Sequence, residues 1–324
     1  MSSGAWTKFA AVAVMWGIPY LLIKVAVDDG VPPAFLAWVR VTIGAVVLVL
    51  LSWHAGLLDT VKGRWRWLAA FATIEIVGPF PLIAAGEQHV DSSVAAIIIA
   101  SAPLFVALLA LRFDASERVG GMRLAGLVVG LAGVAALVGV DVAGEADELF
   151  GAGCVLLAAL GYAIAPMILK RKLADLDPRV SMGMSLTIAA LLLTPAAALG
   201  PPSEMPSAGA LGALAVLGLV CTALTLVVYG SLIAEVGAGR ALVVTYINPV
   251  VALGLGIVFL DERPGVGSLA GLVLILFGSW LTTRSRPPTG AEHVAAAGPE
   301  AAAAAPCEGS AGPLGAPSTE PARA

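Results

Sequence analysis

The chain has 324 residues, of which 59% are hydrophobic and 12% charged. A soluble domain carries about 25% charged residues, so this chain cannot cover a water-facing surface and its apolar excess must meet lipid. The net charge of -4 provides no field to attract phosphates and excludes a nucleic-acid partner.

Taken in chain order, the first apolar stretch follows Lys8 and runs to Val27. It is longer than the apolar part of a cleaved signal and contains Trp16 and Lys24. Asp28 and Asp29 follow it, not a small-residue cleavage site, so it reads as a first membrane span. Further runs place spans at 34–53, 67–87, 92–111, 122–140, 149–169, 180–199, 209–234, 238–260 and 266–283, after the first at 8–27. Each is long enough to cross about 30 Å of hydrocarbon at about 1.5 Å per residue. Backbone groups in lipid must bond within their own segment, and none of the runs alternates as a β-barrel strand would. The expected fold is an all-α integral membrane protein of ten transmembrane helices. Small residues such as Gly126, Gly130 and Gly133 permit close helix approach. Residues 287–324 are rich in Ala, Pro, Gly and Glu, without an aromatic residue, and are predicted to be disordered. Cys154, Cys221 and Cys307 form no framework; the first two read as small buried hydrophobes.

Loop charges orient the bundle. With the N-terminus in the cytoplasm, 15 of the 18 basic residues fall inside, leaving Lys24, Arg40 and Arg263. The positive-inside rule therefore predicts both termini in the cytoplasm of a multi-pass protein of the inner (cytoplasmic) membrane. The external loops are then acidic, with Asp28, Asp29, Asp141, Glu145, Asp147 and Glu148. Trp53, Trp65 and Trp67 read as an aromatic belt at the inner boundary. Lys24 and Lys170 read as anchors at the interface, and His54 and His89 as bystanders at span ends.

The two halves match at an offset near 146 residues. Trp16 and Lys24 correspond to Tyr162 and Lys170, Pro32 to Pro178, and Thr42-Ile-Gly-Ala to Thr187-Ile-Ala-Ala. Ala102-Pro103 leads to Glu117-Arg118, Leu124-Ala-Gly-Leu-Val and Gly133. Asn248-Pro249 leads to Glu262-Arg263, Leu269-Ala-Gly-Leu-Val and Gly278. Five spans per half place the second copy upside down relative to the first. The prediction is therefore two inverted five-helix repeats, at 8–140 and 149–283, around a shared site near the midplane.

The pattern Pro103…Glu117-Arg118…Gly126…Gly133, its repeat at Pro249…Glu262-Arg263…Gly271…Gly278, and Arg40 in the second span resemble the EamA-type permeases of the drug/metabolite transporter superfamily. The resemblance covers about residues 8–284. It implies two five-helix repeats and secondary transport, commonly export, of amino acids, other metabolites or drugs. One departure is Arg112, Phe113 and Asp114 before the first Glu-Arg, which leaves the boundary between the fourth and fifth spans open.

Ionisable residues within the membrane are costly and mark function. Arg40 lies about 9 Å from the outer end of its span and Glu75 about 12 Å from the inner end of its own. Arg40 suits a substrate carboxylate, and Glu75 a proton or a substrate amine; a structural pair across the bundle is the other reading. Trp16 and Tyr20 flank Gly17 and Pro19, which open the backbone. Tyr162 and Pro166 are their counterparts in the sixth span. Tyr246 and Asn248 precede Pro249, as Ser101 precedes Pro103. The pathway candidates are thus Trp16, Tyr20, Arg40, Glu75, Tyr162, Tyr246 and Asn248, with Pro19, Pro103, Pro166 and Pro249 shaping helices.

Other functions fit less well. No mid-span His or Asp supplies an intramembrane protease with its machinery. Asp28-Asp29 alone is too little for Mg²⁺-dependent prenyl-phosphate chemistry, and no phosphate-binding Gly-x-x-x-x-Gly-Lys-Ser/Thr loop exists. A channel would want clearly polar pore rings. The sequence therefore predicts a non-enzymatic transporter, without cofactor or metal, of a small amphipathic metabolite. A flippase for a lipid-linked metabolite is the alternative. The partners are the substrate and the bilayer, and the architecture leaves room for a homodimer.

Overall fold

The computed structural model describes residues 1–113, 121–142 and 144–284. The tail from 287, Cys307 and the first Glu117-Arg118 lie outside the described residues. The described segments form ten helices: α1 Ser3–Asp28, α2 Pro33–His54, α3 Trp65–Gly86, α4 Ser92–Leu109, α5 Gly121–Val142, α6 Ala146–Leu173, α7 Pro178–Leu199, α8 Ala208–Val236, α9 Leu242–Phe259 and α10 Val266–Arg284. The first nine are long and apolar enough to cross a membrane, and α10 carries a shorter apolar stretch, Val266–Thr282. Each observed helix overlaps its predicted span, with ends shifted by a few residues.

The packing repeats itself. α1 rests on α8 and α9, and α6, five helices later, rests on α3 and α4. α2 pairs with α7 and α5 with α10. Adding five to each helix number returns the same neighbours, as a two-fold relation between halves requires. Because each half has an odd number of helices, α6 runs opposite to α1.

Glycine permits the α5–α10 contact. A Cβ at Gly126 would stand 2.8 Å from the Gly278 carbonyl oxygen, and one at Gly133 would stand 3.1 Å from the Gly271 carbonyl oxygen. The four glycines meet in crossed pairs, Gly126 with Gly278 and Gly133 with Gly271. Lipid gives helices no hydrophobic reason to associate, so such backbone proximity supplies dispersion contacts that side chains would prevent.

The described helices contain further π turns at Val138–Val142 and Leu169–Leu173, but two irregularities fall at matching places. α3 contains a π-helical turn at Thr73–Val77 and α8 one at Leu219–Leu224, at the repeat offset. In α3 the Gly78 N–H donates to the Thr73 carbonyl at 3.0 Å, the five-residue spacing of a π turn. α4 breaks at Ala100-Ser101 before Pro103, and α9 passes from a 3₁₀ turn, Leu242–Tyr246, through Ile247 to Asn248-Pro249. Proline supplies no N–H to the preceding turn and restarts each helix at its first positions.

Hydrogen bonds tie both ends of the bundle. At the end rich in acidic residues, Glu262 accepts from the backbone N–H of Ser92 at 2.8 Å and of Ser93 at 3.1 Å, capping α4. Asp141 accepts from the Gly267 N–H at 3.0 Å and from the Ser268 N–H, capping α10. At the end rich in basic residues, Lys8 pairs with Glu235 at 3.0 Å, and Arg64 with Asp175 at 2.6 Å. There Trp67 lies beneath the cations of Arg66 and Lys172, at 5.0 and 4.9 Å.

Candidate functional site

The matched π turns and the two broken helices converge on a cavity of about 290 Å³ inside the bundle. The π turn of α3 brings Glu75 and Ile76 to its wall, and that of α8 brings Cys221 and Thr222. The extra residue of a π turn changes which side chains face inward and frees backbone acceptors, and such turns gather at functional sites. α1 supplies Trp16, Pro19, Tyr20 and Ile23; α2 supplies Arg40; α6 supplies Tyr162; α7 supplies Met182 and Leu186. The broken helices contribute Ile99, Thr245 and Asn248.

The polar groups in this cavity fall into two kinds. Arg40, 9% exposed, donates from Nε to Thr222 Oγ1 at 3.0 Å, and its guanidinium carbon lies 4.2 Å from the centre of the Phe80 ring. Thr222 is itself held by donation to the Leu217 carbonyl at 2.8 Å. These contacts leave the two terminal amino groups of Arg40 without an acceptor among the described residues. The opposite deficit holds for Glu75 Oε2 and Asn248 Oδ1, which are buried acceptors without a donor among the described residues. Unmatched groups of this kind are costly unless a partner arrives. The remaining wall is apolar and aromatic; Trp16 is braced by Tyr229, with ring centres 4.6 Å apart.

Of the sequence candidates, Trp16, Tyr20, Arg40, Glu75, Tyr162 and Asn248 share this one cavity, as does Pro19. Arg40 and Glu75 form no ion pair among the described residues, so the structural-pair reading gives way to two groups on a common space. Tyr246 does not line it. The 3₁₀ turn advances the helix phase, so Thr245 points inward while the Tyr246 hydroxyl donates to the Ser279 carbonyl at 3.4 Å. Pro103 and Pro249 mark the helix breaks, and Pro166 is exposed on the outer face of α6. Lys24 does not snorkel to the interface: its ammonium donates to the Glu87 carbonyl at 2.8 Å and pairs with Asp28 at 3.3 Å. Sequence reasoning passed over Thr222 and Glu87, and read Cys221 only as a small buried hydrophobe. A second, polar recess of about 260 Å³ at the acid-rich end includes His89, Asp91, Asp141 and Arg263. Burial, then nearby Glu262, pushes the Asp91 carboxyl up, against the pull of Lys24.

The sequence profile of the EamA-like transporter family matches residues 6–139 and 149–284, one copy for each half of the bundle. The chain belongs to the EamA-like transporter family. It is a multi-pass membrane transporter, not an enzyme. Within this EamA-like group it is 27% identical to the uncharacterized transporter YoaV of Bacillus subtilis, over 84% of this chain and 94% of that protein. It is 30% identical to a probable terminal-alkyne amino-acid exporter of Streptantibioticus cattleyicolor, over 88% of this chain and 94% of that protein. It is 26% identical to the uncharacterized inner membrane transporter YedA of Escherichia coli, over 76% and 79% respectively. A crystal structure at 21% identity shares the fold with a TM-score of 0.62, covering 87% of this chain and 98% of that one. The EamA-like fold thus puts the cavity between the halves, walled by helices of both.

Proposed function

We propose that this protein exports a small zwitterionic metabolite, an amino acid with an apolar side chain, across the cytoplasmic membrane, with both termini in the cytoplasm. One observation carries the reading: a single cavity holds free donors on Arg40 and free acceptors on Glu75 and Asn248. A substrate carboxylate answers the first and a substrate ammonium the second. The apolar wall from Trp16, Ile23, Phe80 and Leu186 accepts the side chain. The name of the Streptantibioticus relative supports the amino-acid class and the direction. The concentration of Lys and Arg at the end holding both helix-bundle termini supports the orientation.

The test is a thermal-shift panel of amino acids on the purified full chain, followed by flux in proteoliposomes. A ligand that binds only the folded protein raises its melting temperature. Leucine, phenylalanine or a similar apolar amino acid is expected to do so, and its amide and its N-acetyl form are not. Arg40→Lys is expected to lose binding as Arg40→Ala does, by at least about tenfold, because an ammonium cannot reproduce the forked donor pair. Glu75→Gln is expected to weaken binding of the free amine form. Full transport in both Arg40→Ala and Glu75→Gln would refute the proposal.

A further inference from the structure

Glu87 takes no part in the cavity. It caps α3 at the acid-rich end and is wholly buried, and neither carboxyl oxygen has a hydrogen-bond partner among the described residues. Glu262 provides the contrast. It too is buried, but its two oxygens accept the Ser92 and Ser93 N–H groups at the start of α4, which sustains an ionised carboxylate. The charged groups acting on Glu87 are Lys24 and Asp28 from α1, Arg40 from α2 and Glu262 from the turn between α9 and α10; the Tyr20 hydroxyl of α1 lies within reach of its charge. Neither cation is bonded to the Glu87 carboxyl. Lys24 is engaged by the backbone carbonyl of Glu87 and by Asp28, and Arg40 by Thr222. A second ionised carboxylate beside Glu262, without donors and out of water, is far costlier than a neutral acid.

We propose that Glu87 is the proton-binding site of the transport cycle. In this closed arrangement it carries the proton. When the acid-rich end opens, the Glu87 O–H bond breaks, the proton passes to water, and the carboxylate takes Lys24 as its partner in place of Asp28. Only a proton moves. Lys24 already holds the main chain of the same residue, so the exchange needs a side-chain rotation and not a helix displacement. α1 carries Lys24 together with Trp16 and Tyr20, so the proton site and the wall of the substrate cavity share one helix. The inference rests on the transporter reading but on no particular substrate.

The experiment uses the full chain in detergent, without substrate, melted between about pH 5 and 9. A folded state that must retain a proton loses stability as solution protons become scarce. The wild type is therefore expected to fall by about 2–3 °C per pH unit across the window in which the unfolded chain is ionised and the folded carboxyl is not. Glu87→Gln, a neutral isostere, is expected to lack this component and to exceed the wild type at high pH. Lys24→Met removes the partner of the ionised form and is expected to carry the wild-type decline on to higher pH, which keeps the test decisive if Glu87→Gln fails to fold. Cys221 on the cavity wall gives a second readout, in a Cys154→Ser, Cys307→Ser background. The wild-type to Glu87→Gln ratio of its maleimide labelling rates is expected to change severalfold with pH. Parallel melting profiles in wild type and Glu87→Gln would overturn the proposal. So would stabilisation of the wild type, but not of Glu87→Gln, by sodium over potassium at fixed pH, which would make the ligand a metal cation. Either result leaves the amino-acid panel to be judged separately, since no substrate is present.

Discussion

Removing the Glu262 carboxylate should unfasten the start of α4 from the α9–α10 turn. Two backbone N–H groups lie on its oxygens at 2.8 and 3.1 Å, and the residue is 9% exposed. Each hydrogen bond to a charged group contributes about 1.5–3 kcal/mol, and the helix N-terminus adds about 0.3–1 kcal/mol. Against this stands the desolvation of the carboxylate, which offsets part of the gain. Glu262→Ala is therefore expected to cost about 2–4 kcal/mol, a loss of roughly 3–7 °C in melting temperature for a bundle of this size. Glu262→Gln keeps one acceptor but points an amide N–H at a backbone donor, and should recover less than half of the loss. Asp141→Ala is the internal control. It removes the same kind of cap from α10, but Asp141 is only partly buried, so water replaces its bonds and the cost should be about 1 kcal/mol. The assay is detergent melting of the three variants at neutral pH, with amide exchange of Ser92 and Ser93 as the local probe. If Glu262→Ala costs no more than Asp141→Ala, burial of the cap does not set its strength and the reasoning fails.

Three further outcomes are expected. Gly278→Ala puts a Cβ 2.5 Å from the Gly126 carbonyl oxygen and the Gly130 nitrogen, so α5 and α10 must separate by about 1 Å at a cost of about 1–3 kcal/mol, read as a lower melting temperature. Asp177 caps α7, and hydrogen bonding to Arg179 holds its carboxyl below the ordinary range. Its stabilisation is present above about pH 4, where the unfolded carboxyl is ionised, and is lost as pH falls through the lower folded value. Asp177→Asn should accordingly be destabilised at neutral pH and show a shallower acid limb in a melting series. A reporter fused after Arg284 should behave as cytoplasmic and one near Glu145 as periplasmic; the reverse would invert the orientation drawn from the basic residues.

What the sequence made legible followed from cost. A charge in an apolar run is expensive wherever it points, so Arg40 and Glu75 announced themselves, and proline marked the breaks at Ser101 and Asn248 because it lacks an N–H. The repeat offset alone links Trp16 to Tyr162, and both line the cavity. Phase was harder. Thr245 and Tyr246 differ by one position, and only the 3₁₀ turn decides which faces the cavity. Thr222 and Cys221 are ordinary small residues in an apolar span until the π turn rotates them inward. Glu87 reads as a boundary residue, since Lys24 of α1 and Glu262 of the α9–α10 turn, which act on it, are distant in the chain. Glu262 was visible as half of a repeated motif, but its pairing with Ser92 and Ser93 is a tertiary fact.

The scaffold treats its two halves alike, but the cavity does not. α3 offers Glu75 at the register where α8 offers Cys221, and α2 lines the cavity with Arg40 where α7 lines it with Met182 and Leu186. A symmetric frame by itself has no preference between its two end states, because turning the molecule over exchanges one for the other. Any bias between them must then reside in the few side chains that spoil the equivalence. The resting preference of such a protein for one end state is a property of its upholstery and not of its frame, and moving two charges from one half to the other would be the smallest edit able to invert that preference.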